Sequence, residues 1–209
     1  GKEYGVIIAP KHLAFNDTEI NRTGVSVFMT EQQARENELR GTQAAIEDAG
    51  ALGVMTAFNR VGITATNAHT GLLKNILRGE WGFKGLESQD FIMNPNYAVL
   101  KEYALNGGTM TTFTGENTMA AVSEKFAYWT TENVGQDTEL MSAIKQAMTW
   151  QAYALANSNA LDGMASSTRL VSVRTWYDNA LVAVQVVFAA LTVLAAAMYV
   201  LNDRKSKKQ

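Results

Sequence analysis

Two continuous apolar runs and a third, shorter strand-like segment divide the first ninety residues, and polar side chains follow each of them. The apolar runs cover residues 4–9 and 52–58, and the third predicted strand covers residues 86–89. Uninterrupted runs of this length are typical of strands that are buried on both faces, as in a parallel sheet. Segments with helical periodicity separate the runs. The order strand, helix, strand, helix, strand, helix therefore predicts a parallel α/β sheet with right-handed crossovers.

The predicted helices cover residues 30–49, 70–78, 96–105 and 137–157. The first begins at Thr30, because Gln33 lies three positions later in the spacing of a capping box. The last helix has one expected packed side. Its members are Leu140, Ile144, Ala147, Met148, Tyr153 and Leu155.

The polar residues after the strands form a candidate site. They are Lys11 and His12 after the first strand, Phe58 and Asn59 after the second, and Asp90 after the third. Because the carboxyl ends of parallel strands meet at one edge, these groups should converge there. The mixture of donors and acceptors in residues 10–22 suits a polyhydroxylated ligand. The alternative for residues 10–22 is a solvated loop.

Residues 180–201 are apolar apart from Gln185 and Thr192. At about 1.5 Å per residue they span about 33 Å, enough for a bilayer core of about 30 Å. A basic tail follows, so the sequence predicts a single-pass helix in the cell membrane, with its C-terminus cytoplasmic and the preceding part extracellular. The alternative is a very apolar core helix.

The composition limits the classes of partner and cofactor that the chain is expected to bind. The formal net charge of −2 does not suggest a nucleic-acid partner. The chain has no cysteine, which excludes disulfides and thiolate metal sites. It also has no glycine-rich phosphate loop and no histidine cluster with ligand spacing, so no cofactor and no metal are expected.

Three sequence blocks resemble glycoside hydrolase family 3. Residues 11–22, KHLAFNDTEINR, are similar to the family signature KHF-x-x-N-x-x-E-x-x-R. Residues 54–62, VMTAFNRVG, resemble its V-M-[ST]-x-[YF]-N block. Residues 77–90, LRGEWGFKGLESQD, resemble its L-R-x-E-W-G-F-x-G block, which ends in Asp. The three occur in the family's order and cover about residues 4–110.

The resemblance implies a retaining mechanism with Asp90 as the nucleophile and a second carboxyl about 5 Å away as acid and base. It implies that Lys11 and His12 bind sugar hydroxyls at the reacting subsite. Asn16 and Arg22 either bind substrate or brace the loop. The alternative interpretation is that Asp90 only caps the following helix. His69 is expected at the surface or at a helix cap.

The chain departs from the family pattern at several positions. Phe58 stands where the family often has Tyr, whose hydroxyl can bond the nucleophile. The family has apolar residues followed by Ser or Thr where this chain has Glu87, Ser88 and Gln89. Either the strand is shorter than predicted, or this sequence has diverged from the family pattern. The acid/base usually comes from a second domain, and no motif selects one here. The available carboxylates are Glu19, Glu87 and Glu116.

The predicted architecture is the C-terminal part of a (β/α)8 TIM-type barrel followed by a transmembrane helix. Only three strand–helix units are visible, or four if residues 107–113 form a strand, and closure needs about eight. The predicted divisions are a partial barrel at 1–113, a helical extension and tether at 114–168, and a membrane segment at 169–209. The missing barrel strands and acid/base domain would precede this chain in the same protein, a permuted order.

The leading functional hypothesis is a retaining exo-glycosidase of β-glucosidase type that acts on oligosaccharides or β-glycosides at the cell surface. The alternative is a surface carbohydrate-binding pseudoenzyme, which the departures around Asp90 favour. Under either hypothesis the fragment alone is expected to be inactive, because it lacks the rest of the barrel.

Overall fold

The computed structural model describes residues 4–22, 24–90, 100–111, 129–164, 167–169 and 171–206. The chain divides into two compact units, Gly1–Gly163 and Met164–Gln209. The first contains the sheets and the shorter helices, and the second contains one long helix.

A three-stranded parallel sheet is the centre of the first unit, as predicted. The strands along the chain are β1 (Lys11–Leu13), β2 (Ser26–Val27), β3 (Gly53–Thr56), β4 (Arg60–Val61), β5 (Thr64–Ala65) and β6 (Leu86–Gln89). The central sheet has the order β1-β3-β6, and both pairings are parallel. A second small sheet, β2-β4-β5, was not predicted, because its two-residue strands are too short to give a periodic signal. Within the described residues the strands form no closed barrel.

The first predicted strand was placed too early. Residues 4–9 are not a strand, and β1 begins at Lys11. The backbone before β1 still follows β3, since Ile8 O and Pro10 O accept hydrogen bonds from Gly53 N and Met55 N at 3.0 and 3.2 Å. The side chain of Ile8 is half exposed because β1 is an outer strand of the described sheet. An apolar run therefore did not imply burial on both faces here.

The first helical segment begins as the capping box predicts. The backbone N–H of Gln33 donates to Thr30 Oγ1, and the N–H of Thr30 donates to Gln33 Oε1, both at 3.2 Å. The segment comprises α1 (Glu31–Gln33), a wider π-helical stretch at Ala34–Glu38, and α2 (Arg40–Glu47). A second π-helix, Gly71–Glu80, occupies the place of the predicted helix at 70–78.

The main core lies where the π-helix Gly71–Glu80 packs on the sheet. The residues of this core come from β1, β3, the helices and the turn before β6. They are Leu13, Ala14, Phe15, Leu39, Val54, Leu72, Leu73, Leu77, Trp81, Phe83 and Tyr103. Leu72, Leu73 and Leu77 are on the predicted buried side of their helix, and Ile76 is partly buried beside them.

In the described part of the first unit, three helices follow the sheet: α3 (Leu100–Leu105), α4 (Thr131–Gln136) and α5 (Thr138–Ala156). Asp137 caps α5, since its Oδ1 accepts from Leu140 N at 3.0 Å and its Oδ2 lies 2.6 Å from Lys101 Nζ. The start of the predicted helix at 96–105 lies outside the described residues. Residues 107–111 form only an isolated parallel bridge, between Ser88 and Met110.

The packed side of α5 is narrower than predicted. Leu140, Ala147 and Ala154 are buried, seven residues apart, so they form one stripe along the helix. Met148 is 62% exposed, and Tyr153 is also exposed. The prediction of a wider packed face was wrong, because the described helix contacts its neighbours along a single line of residues.

The predicted tether, residues 157–168, begins as part of the first unit. Asn159–Leu161 forms a short 3-10 turn. The N–H of Asn159 donates to Gly5 O at 2.8 Å, and its side-chain amide donates to Tyr4 O at 3.2 Å. These bonds fix the segment to the start of the described chain.

The second unit contains α6 (Trp176–Ser206). Its stretch Trp176–Asp203 is long and apolar enough to cross a bilayer, and its side chains are exposed in the unit as described. The length and composition of α6 agree with the predicted helix at 180–201. That it spans a membrane stays a prediction.

Candidate active site

Asp90 and His12 meet at the carboxyl edge of the central sheet. His12 lies in β1, and Asp90 directly follows β6, with β3 between the two strands. His12 Nε2 is 3.2 Å from Asp90 Oδ2, and the N–H of Asp90 donates to Thr56 O at 3.1 Å. Both side chains are largely buried, 14% and 7% exposed. The sheet therefore brings together two polar residues that are far apart in sequence.

Asn16 fixes the proton on His12. A carboxylate only accepts hydrogen bonds, so the Nε2 that faces Asp90 must carry the hydrogen. The other ring nitrogen, Nδ1, then accepts from the Asn16 amide at 3.2 Å. Burial lowers the pKa of His12, although the Asp90 charge opposes this. The Asn16 contact therefore favours a neutral His12 with its hydrogen on Nε2, the nitrogen that lies 3.2 Å from Asp90 Oδ2.

Arg22 provides the positive charge of the site. Its Nη1 lies 3.8 Å from Asp90 Oδ2 and 3.0 Å from Glu19 Oε2. The guanidinium carbon is 4.5 Å from the centre of the Phe58 ring. An aromatic face at this distance attracts a cation. Phe58 therefore supports Arg22, a role that needs no phenol hydroxyl.

The predicted site residues differ in where they lie. His12 and Arg22 lie next to Asp90, Asn16 contacts His12 and Phe58 contacts Arg22, whereas the side chain of Lys11 is exposed. The contacts of these residues with a sugar remain predictions.

Two of the unusual residues of β6, Glu87 and Gln89, share one face of the strand. The strand has its full predicted length, so the explanation by a shorter strand was wrong. Glu87 and Gln89 are buried. The amide of Asn67 donates to Gln89 Oε1 at 2.6 Å, which gives this buried glutamine a partner.

Glu87 is a buried acid in β6, three residues before Asp90. Burial raises the pKa of Glu87 to about 7, although nearby Tyr103 and Arg78 favour the charged form. Its backbone is tightly bound. The hydroxyls of Tyr103 and Thr109 donate to Glu87 O at 2.9 and 2.6 Å. The strand that leads to Asp90 is thus anchored to the helical side at this residue.

Sequence reasoning missed Arg78 as an organising residue. Its guanidinium donates to the backbone carbonyls of Gly107, Phe83 and Gly85 at 2.7–3.0 Å. It also lies 3.9 Å from the centre of the Trp150 ring. Burial lowers its pKa to about 10, so it stays protonated near neutral pH. The available signal was its position inside the third sequence block.

The described residues offer no clear second catalytic carboxyl. Glu19 is 75% exposed and paired with Arg22, and Glu87 is fully buried within β6. Glu116 lies outside the described residues. The part of the chain that the structure describes contains no group of three His, Cys, Asp or Glu side chains able to hold a metal. His69 acts as a cap, because its Nδ1 accepts from Leu72 N at 3.1 Å.

A family model described as the glycosyl hydrolase family 3 N-terminal domain matches residues 2–109. The chain belongs to glycosyl hydrolase family 3. The match contains all three sequence blocks and every predicted site residue. The family assignment from the sequence is therefore confirmed, whereas the permuted order and the membrane anchor stay predictions.

Named relatives of this family member include two proteins of Emericella nidulans. Beta-glucosidase B is 41% identical over 87 residues, which are 42% of this chain and 10% of that protein. Probable beta-glucosidase J is 40% identical over 90 residues, which are 43% of this chain and 11% of that protein. This chain matches about a tenth of the length of these curated relatives.

Solved structures support the fold. Beta-glucosidase 3B from Thermotoga neapolitana, in complex with α-D-glucose, superposes with a TM-score of 0.62 at 23% identity, over 75% of this chain and 21% of that one. Beta-glucosidase from Kluyveromyces marxianus, in complex with glucose, gives 0.51 at 26% identity, over 73% and 18%. The described sheet is thus part of a TIM-barrel-like α/β domain.

Proposed function

We propose that the protein containing this chain is a retaining glycoside hydrolase of β-glucosidase type, with Asp90 as its nucleophile. The observation that carries the proposal is the meeting of His12, Arg22 and Asp90 at the carboxyl edge of the sheet. The names of the relatives point to the substrate class, a β-glucoside.

The geometry suits a nucleophilic carboxylate. His12 and Arg22 both approach Asp90 Oδ2, so they fix the plane of the carboxyl group before the sugar arrives. Asp90 attacks the anomeric carbon, a C–O ester bond forms, and the glycosidic C–O bond breaks. A second carboxyl, outside the residues assigned here, protonates the leaving oxygen. It then activates a water that hydrolyses the ester and releases the sugar with its configuration retained.

Lys11 completes the proposed subsite from the solvent side. Its exposed ammonium carries three hydrogen-bond donors and lies beside His12 in β1. Donors that bind sugar hydroxyls accelerate the reaction when they bind the transition state more tightly than the ground state. Asn16 acts through His12 in this arrangement, so it is a positioning residue.

A trapping experiment tests the nucleophile without requiring the acid. A 2-deoxy-2-fluoro-β-glucoside with a dinitrophenolate leaving group needs no protonation as it leaves, so Asp90 alone can form the ester. The label should appear on the peptide that contains Asp90 in a longer polypeptide that includes this chain, and Asp90→Asn should abolish it. Asp48→Asn, at an exposed helix end, is the matched control. Labelling of another carboxyl would refute the assignment.

A second function, carbohydrate binding without turnover, is favoured by Phe58, Glu87 and Gln89. The Phe58 position lacks the hydroxyl that the family often uses near the nucleophile. Glucose binding measured by calorimetry, together with no trapped ester and no aryl-glucoside hydrolysis, would support this function. Trapping at Asp90 would exclude it.

We also propose that α6 anchors the protein in the cell membrane as a single-pass helix, with its C-terminus cytoplasmic and the catalytic part extracellular. The length of its apolar stretch and the basic residues after it support this orientation. The substrate would then be a glycoside or oligosaccharide outside the cell.

A further inference from the structure

A cleft of about 430 Å³ lies at the end of the central sheet that is opposite to Asp90. Its lining includes Leu52 and Gly85, which directly precede β3 and β6, whereas Asp90 directly follows β6. The steps from Gly85 to Asp90 rise about 3.3 Å per residue in a strand, so the two ends are roughly 16 Å apart. The cleft is therefore separate from the candidate active site.

Hydrogen bonds hold two parts of the cleft lining in place. In the turn before β6, Arg78 Nη1 donates to the carbonyls of Phe83 and Gly85, both at 2.9 Å. At the end of α5, the side-chain amide of Asn157 donates to Tyr153 O at 2.8 Å. A lining that is already ordered costs a ligand less conformational entropy when it binds.

The lining combines buried aromatic rings with polar side chains near the surface. Trp81 and Phe83 are 9% and 3% exposed, whereas Tyr153 is 43% exposed. Glu47 and Lys84 are both exposed. Apolar and aromatic walls with a few polar groups, enclosing a volume of this size, are the usual form of a small-molecule site.

The charges of the lining indicate which class of molecule fits. Among the described residues that line the cleft, Glu47 is the acid and Lys84 is the base. Glu47 Oε2 accepts from Gln43 Nε2 at 2.9 Å, and within the described residues Oε1 has no donor. Glu47 would repel an anion, and Lys84 would repel a cation. The lining therefore favours a neutral ligand that offers both donors and acceptors.

We infer that this cleft binds a short neutral saccharide. A pyranose ring presents C–H groups on its faces and hydroxyl groups around its edge. The faces suit the aromatic rings of Trp81 and Tyr153, and the hydroxyls can donate to Glu47 and accept from Lys84. With the proposed hydrolysis at Asp90, the protein would hold carbohydrate at both ends of its sheet. That combined role rests on the proposed function, whereas binding in the cleft does not depend on it.

Lysine footprinting tests the cleft in the full chain, reconstituted in phosphatidylcholine nanodiscs. The Asp90→Asn variant is used so that the sugar is not hydrolysed. Cellobiose, a neutral β-linked disaccharide, is the ligand, and mannitol at the same concentration controls for nonspecific effects of a polyol. An N-hydroxysuccinimide ester of acetate modifies lysines, and mass spectrometry gives the rate at each of them.

Lys84 reports the cleft in this experiment. Cellobiose at about ten times its Kd should slow acetylation of Lys84 at least about fivefold, because only the free fraction reacts. Lys145 is exposed on α5 and does not line the cleft, so its rate should stay the same.

Substitutions of Tyr153 measure the contribution of its ring. Tyr153→Ala should weaken the binding that protects Lys84 about three- to tenfold, because it removes the exposed aromatic face. Tyr153→Phe keeps the ring and should retain the protection. Phe28→Ala removes a ring that is 75% exposed outside the cleft, and it should leave the protection unchanged.

Lys11 distinguishes the two sites in the same experiment, since it is exposed in β1 beside His12. Protection of Lys84 by cellobiose supports a saccharide site in the cleft, whether or not Lys11 is also protected. Protection of Lys11 alone would overturn this site and leave the proposed subsite at Asp90 standing. Equal slowing by mannitol, equal slowing of Lys145, or equal effects of Tyr153→Ala and Phe28→Ala would each overturn it as well.

Discussion

At the scale of single residues, the candidate site depends on one chain of contacts. Asn16 donates to His12 Nδ1, and His12 Nε2 lies 3.2 Å from Asp90 Oδ2. The sequence suggested Asn16 as a substrate ligand or a loop brace, and the described geometry favours the brace. The effect of Asn16 on Asp90 is therefore transmitted through the tautomer of His12.

A carboxylate in place of the Asn16 amide should change this tautomer. Asn16→Asp puts a negative charge beside Nδ1, which favours the doubly protonated ring and raises the pKa of His12. The pKa is measured by NMR titration of the imidazole nitrogens. His69 is the other histidine of the chain and serves as an internal control, since its own pKa is lowered by burial. An unchanged His12 pKa would contradict the assigned contact.

The raised pKa of Glu87 predicts that the stability of the first unit depends on pH. Its folded pKa of about 7 lies above the ordinary value of 4.5, so the folded state binds the proton more tightly. Stability should be greatest below pH 4.5 and fall by about 3 kcal/mol as pH rises to 7, because each unit is worth about 1.36 kcal/mol.

Glu87→Gln should remove this slope, measured by urea unfolding between pH 4.5 and 7. The lowered pKa values of His12 and His69 give stability that rises with pH, so only the difference between wild type and variant isolates Glu87. Glu102→Gln, at an exposed position of α3, is the control. The same slope in Glu87→Gln and wild type would refute the assignment.

At the scale of elements, the third sequence block is a structural connector as well as a family signature. Arg78 joins the π-helix Gly71–Glu80 to the turn before β6 and to Gly107. Gly82 has a φ of +59°, which glycine adopts without strain. At Gly85 an added methyl group would collide with the carbonyl of Leu52, just before β3. The motif therefore sets how closely β6 approaches β3, and with it the position of Asp90.

Gly85→Ala should destabilise the first unit by about 2 kcal/mol or more, because the colliding atoms belong to the backbone and cannot rotate away. Gly41→Ala is the matched control. Gly41 lies in α2 with no atom within 4 Å of an added methyl. That substitution should stabilise the unit by about 0.5–1 kcal/mol. The free energies of unfolding of the two variants are measured by urea denaturation in the same detergent. Equal changes in both variants would show that the contact at Gly85 is unimportant.

At the scale of the whole molecule, the two units differ in the solvent that suits them. The first has a core and polar loops, whereas α6 exposes apolar side chains along its length. Exposed apolar surface of that extent is costly in water and favourable in a bilayer.

Trypsin should detect the span directly. The sequence has no Lys or Arg between Arg174 and Arg204. In sealed vesicles with the first unit outside, added trypsin should cleave at Arg174 and leave residues 175–209 protected, as seen by mass spectrometry. Detergent should then permit cleavage at Arg204. Cleavage at both positions in intact vesicles would mean that the helix does not cross the membrane.

Several features of the fold were predictable because their cause is local. The capping box placed the start of α1, and β6 lies at the predicted residues 86–89. Asp90 was predictable as a strand-end residue. The extent of β1, the small second sheet and the narrow seam of α5 were not, since each depends on which neighbour covers a side chain.

The family, the parallel α/β order and a helix long enough to cross a bilayer could be predicted before the fold was known. They follow from motif spacing and hydrophobic periodicity, which are properties of short segments. The contact of Asn16 with His12, the contact of Phe58 with Arg22 and the burial of Glu87 against the helices became visible in the folded chain. Each of these depends on distances between groups far apart along the chain, or on the direction in which a side chain leaves its strand. Packing fixes those quantities, and the order of residues alone does not.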